Sequence, residues 1–137
     1  MRFLKKFDLV LSQLLQYFIA GVWLVNGLFC KILNLVPRHQ QIVARILGEE
    51  HAFVLTKTIG SMEVLMALWI VSRIYSKTST IIQIFLVAAM NIIEFILAPD
   101  LLLFGRLNIV IAMFFIMILF FNEVLYQRHR SSPTFNY

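Results

Sequence analysis

Eight polar side chains stand inside or beside long apolar runs of this sequence: Asn26 and Lys31, Lys57 and Glu63, Asn91 and Glu94, Arg106 and Asn108. Residues of these types could bind a lipid-soluble molecule through its oxygens, pass a proton, or hold helices together. Each needs a reason, because a charge at the bilayer centre costs about 2.5–3.5 kcal/mol on insertion scales. Lys31 and Arg106 lie close enough to span ends to snorkel toward water, whereas a carboxylate has a short side chain and cannot. Glu63 and Glu94 are therefore the leading candidates. Their structural alternatives are an ion pair of Glu94 with Arg106 or Lys31, and a protonated Glu63 bonded to Asn91. Asn26, Asn91 and Asn108 suit interhelical hydrogen bonding as well as ligand contact.

Other chemistry has little to stand on. Cys30 is the single cysteine, so the chain alone cannot form an intramolecular redox disulfide. His39, Glu49, Glu50 and His51 cluster, but at no metal-ligand spacing, and no metal site is expected. No Ser-His-Asp set, phosphate loop or glycine fingerprint is visible, and no histidine lies inside an apolar run. No cofactor is evident, although a quinone suits a polar pocket within apolar helices.

The elements that position these residues follow from composition. Of the 137 residues, 61% are hydrophobic and 14% charged, too little charge to cover a small soluble fold. Mean hydropathy is +0.86. Four runs reach the length of about 20 residues that a helix needs to cross a bilayer. They are expected at about 11–34, 52–72, 80–98 and 101–126, and the fold class is an all-α integral membrane four-helix bundle. The opening run is too long for a signal peptide and reads as a retained span. The net charge of +5 is a topology signal rather than a nucleic-acid patch. Arg2, Lys5, Lys6, Arg73, Lys77, Arg128 and Arg130 all fall on one side of the four-span chain. The positive-inside rule therefore places the segment 1–10, the tail 127–137 and both termini in the cytoplasm.

Arg73 to Lys77 reads as a short turn, and Pro99-Asp100 as a minimal hinge between spans three and four. The first outer connection is longer, and Ile42, Val43, Ile46 and Leu47 repeat there at helical spacing, predicting a short amphipathic helix ended by Gly48. Residues 131–137 read as a disordered tail. Glu63 lies about 16 Å from the outer end of its span, near the midplane, and the other four ionisable groups lie nearer that end. Helical phase gathers the polar and small residues. Thr56, Gly60, Glu63 and Ala67 share one stripe, as do Gln83, Val87, Asn91, Glu94 and Ala98. Ala20, Trp23, Gly27, Cys30 and Lys31 line the first span, with Asn26 at their edge; Gly105, Asn108 and Ala112 line the fourth. The expected result is a bundle with a polar interior in its outer half.

The segments Trp23 to Ile32, Gly60-Ser-Met-Glu63, Met90-Asn91-Ile-Ile-Glu94 and Pro99 through Asn108 resemble those of DoxX-like membrane proteins, over roughly residues 15–125. The resemblance implies a four-helix protein of the bacterial cytoplasmic (inner) membrane. It also implies association with quinone-linked oxidoreductases, such as thiosulfate:quinone systems or a redox-stress complex. It supplies no catalytic residue, so any enzymatic role is that of an accessory subunit. The leading expectation is a membrane subunit that binds a quinone-like or lipid ligand beside a redox protein. The alternatives are a small proton-coupled carrier and a non-catalytic assembly partner.

Overall fold

The computed structural model describes residues 2–102 and 104–131. Helix α1 (Arg2–Leu24) continues without a break as a π-helical segment, Val25–Ile32. A short helix α2 (Arg38–Leu47) precedes α3 (Ala52–Ser72), α4 (Ser76–Leu97) and α5 (Asn108–Ser131). Four helical stretches are long and apolar enough to cross a membrane: Arg2–Ile32, Ala52–Ser72, Ser76–Leu97 and Gly105–Ser131. Helix α1 packs on α3 and α5, α4 packs on α5, and the π-helical segment lies along α3. The buried core joins Ile19, Ala20 and Trp23 to Met66, Ala67 and Ile70, and these to Val87, Ala112 and Leu119. Phe85, Ile96, Leu68 and Met117 stand more than 60% exposed on the outside. An apolar exterior of this kind suits hydrocarbon, not water.

Local chemistry explains the breaks. Gly48, at φ 101°, ends α2 and donates its N–H to the Ala44 carbonyl. Arg73 and Tyr75 take left-handed backbone angles in the turn between α3 and α4. Pro99 disfavours helix at the residue before it, and Ala98 leaves the helical region at φ −142°.

That last break corrects the expected minimal hinge. The connection runs from Ala98 to Leu107 through two 3₁₀ turns, Pro99–Leu101 and Gly105–Leu107, and α5 starts at Asn108 rather than Leu101. Arg106 therefore sits in the 3₁₀ turn that leads into α5, at the very start of the Gly105–Ser131 stretch, exposed, with its guanidinium 5.6 Å from the Phe95 ring centroid. The first helix begins at Arg2, through the segment expected to precede the span, and α4 begins at Ser76 rather than Thr80. Helix α5 extends through residues 127–131, and most of the expected tail, 132–137, lies outside the described residues.

Candidate functional site

The π-helical segment carries the first half of the site. Its wider turn appears in the bond from the Leu33 N–H to the carbonyl five residues back, at Leu28. Such segments mark places where a helix is re-aimed. Here Gly27 and Gly60 let the two backbones touch, because a Cβ on Gly27 would stand 2.5 Å from the Gly60 carbonyl oxygen. At that contact the Lys31 ammonium reaches Glu63 and donates to both carboxylate oxygens at 2.8 Å. Lys31 is 9% exposed and Glu63 5%. Lys57 donates from Nζ to the Ile32 carbonyl and lies 4.8 Å from the Phe53 ring centroid. Lys31 thus goes to Glu63, not to Glu94, and Glu63 bonds an ammonium rather than Asn91.

The second half lies between α4 and α5. Asn108 donates through Nδ2 to Asn91 Oδ1 at 2.9 Å, and Asn91 returns its own amide to the Val87 carbonyl. Asn26 is used within its helix, donating to the Val22 carbonyl. Glu94 is half-buried and lies where the charges of Lys31, Glu63 and Arg38 reach it. Its carboxyl group makes no hydrogen bond or ion pair among the described residues, and the expected Glu94–Arg106 pair is not formed. The eight residues singled out therefore divide: Lys31 and Glu63 lock together, Asn91 and Asn108 lock together, Asn26 and Lys57 donate to backbone carbonyls, Arg106 lies near the Phe95 ring, and Glu94 keeps its acceptors.

A second polar network lies toward the end carrying the termini, and of its members only Trp23 and Gln83 stand on the stripes that helical phase picks out. Glu123 Oε1 accepts from Ser76 and Gln127, and Oε2 from Thr80. Ser12 donates to Asn122 and accepts from Arg73, whose guanidinium lies 4.2 Å from the Tyr126 ring centroid. Gln16 donates to the Ile70 and Val71 carbonyls, and Trp23 to Gln83. Ser76, Thr80, Gln83 and Glu123 border a cavity of about 20 Å³, room for one water. The available signal was Glu123 itself, a carboxylate in the last apolar run with Ser76 and Thr80 one turn apart on the neighbouring helix. These groups are saturated by one another, which suits closing the bundle end rather than binding.

Helix α2 covers the other end. Ile42 and Val43 are buried, and Arg45 pairs with Asp100 of the α4–α5 connection. His39, half-buried on α2, has its pKa pushed down to about 4, first by burial and then by the charges of Lys31 and Arg38. The unfolded chain thus binds a proton that the folded one refuses, so stability is lost as pH falls from about 6.5 toward 4. The expected loss is about 1–2 kcal/mol after allowance for solvent screening. Hydrogen exchange across residues 38–47 should speed up over that window, and His39→Gln should remove the change.

A helical membrane protein with four candidate spans and a polar cluster toward one end is the class that this fold and site define. The chain belongs to the DoxX-like family, whose model matches residues 20–121. No curated protein and no solved structure matches it significantly.

Proposed function

We propose that this chain is a membrane subunit that binds a quinone-like or lipid molecule at Glu94, Asn91 and Asn108, beside a redox partner. The bacterial cytoplasmic membrane, with both termini inside, is the setting that the charge pattern and the family favour. The single observation that carries the reading is the unpartnered Glu94 carboxyl group, set beside the Asn91–Asn108 pair while Glu63 and Glu123 are fully engaged. The donor set suits a quinone. Asn108 Nδ2 keeps a second N–H for a carbonyl oxygen, and Glu94 accepts from a quinol hydroxyl. A quinone would supply two-electron redox chemistry when bound; Glu94 and Asn108 would orient its oxygens. A carrier that cycles a proton on Glu63 has less support, because Lys31 holds that carboxylate.

The test is mass spectrometry of molecules extracted from gently purified protein. Wild type should retain a lipophilic oxygen-bearing molecule. A hydrogen bond to a charged group is worth about 1.5–3 kcal/mol, so Glu94→Gln with Asn108→Leu should lower retention at least about tenfold. A clean wild-type extract, or full retention by that variant, overturns the proposal.

A further inference from the structure

An open recess of about 370 Å³ lies beside α2, bordered by Asn34, Pro37, Gln40, Gln41, Ala44, Glu49 and Ala52. It is separate from the Glu94 group. Its place is the end of the bundle, where the π-helical segment has just finished and α3 begins, so it faces the headgroup layer once the spans are embedded. Pocket sizes of about 300–1,000 Å³ are those of small-ligand sites.

The chemistry of the border is selective. Three of its side chains are amides and one is a carboxylate. Among the described residues, Asn34, Gln40, Gln41 and Glu49 make no side-chain hydrogen bond or ion pair. No cation pairs with Glu49 among the described residues: Arg45 is turned to Asp100, and Lys31 to Glu63. The lining is therefore rich in acceptors, has Glu49 as its one ionisable side chain, and still offers amide N–H groups.

We propose that this recess binds the ammonium headgroup of a phospholipid of the ethanolamine type. The primary ammonium donates to Glu49 and to amide oxygens, while the amide N–H groups of Asn34, Gln40 and Gln41 serve the phosphate oxygens. A glycerol headgroup carries no cation for Glu49. A choline headgroup carries the cation but no N–H donors.

The full-length protein, equilibrated in detergent with equal amounts of phosphatidylethanolamine, phosphatidylglycerol and phosphatidylcholine, is read by native mass spectrometry. Wild type should keep one ethanolamine lipid with a preference of about tenfold over each of the others. Glu49 is exposed, so Glu49→Gln should leave the fold intact and bring that preference below about threefold. Glu94→Gln should leave it unchanged, which separates this recess from the quinone-like site. Equal retention of the three lipids, or an unaltered preference in Glu49→Gln, overturns the proposal. Binding of soluble phosphoethanolamine as tight as that of the lipid overturns the membrane assignment in favour of a free amine.

Discussion

Replacing Lys31 by Met alone is expected to lower the thermal midpoint of the solubilised protein more than removal of any other polar side chain, with Glu63→Leu close behind. Each change strands a buried charge that was doubly hydrogen-bonded at 2.8 Å. Breaking a buried pair from one side costs about 3–5 kcal/mol. Replacing both partners by apolar residues is a different experiment, often neutral or stabilising by about 1–4 kcal/mol. Lys31→Met with Glu63→Leu should therefore recover most of the midpoint that either single variant loses. A double variant impaired by the sum of the single effects would show that the two residues act independently, against the geometry. The proposed ligand site makes a further distinction. Retention of the extracted molecule should track Glu94, not the double replacement, once stability is restored.

Glu63 shows how far the sequence could be read. Its burial and its stripe with Thr56, Gly60 and Ala67 followed from helical phase, and all four are buried. Its partner did not follow, because the choice between Lys31 and Asn91 depends on how close two backbones come and how one of them is wound. The π-helical turn that aims Lys31 leaves no mark in apolar periodicity. The amphipathic helix was legible because Ile42, Val43 and Ile46 recur at the right spacing and Gly48 stops it. The α4–α5 connection was not. Leu101, Leu102 and Leu107 are as apolar as a span, so hydropathy runs on where Pro99 and Gly105 bend the backbone into 3₁₀ turns. Reading on through those turns set Arg106 a turn and more into the fourth span, whereas it lies at the start of that stretch, just ahead of α5. Glu123 is hard to read for another reason: it lies near the end of the last apolar run, where a carboxylate can equally face water, and only its bonds to Ser76 and Thr80 mark it as interior. Glu94 stood out by type and depth, but only the contacts show that it alone of these three carboxylates keeps its acceptors.

Gly27 and Gly60 should prove the least substitutable small residues in the chain. An alanine Cβ at Gly60 would stand 2.7 Å from the Gly27 carbonyl oxygen and 2.8 Å from the Lys31 Cβ. One at Gly27 would stand 2.5 Å from the Gly60 oxygen and 2.9 Å from the Glu63 Cβ. The nearest obstacles are backbone and Cβ atoms, which cannot swing aside like the end of a long side chain. The π-helical segment and α3 must therefore separate. Each substitution is expected to destabilise by about 3 kcal/mol, the upper end of overpacking penalties. Gly21→Ala is the control: nothing lies within 4 Å of its added carbon, and helix propensity predicts a gain of about 0.5–1 kcal/mol. The close approach and the ion pair are one device, because moving the backbones apart also pulls Lys31 from Glu63. Gly60→Ala should consequently do less harm on the Lys31→Met, Glu63→Leu background than on wild type, by more than the scatter of about 0.5 kcal/mol seen for independent sites. Equal penalties on both backgrounds would mean that the glycines serve packing alone and that the pair forms without them.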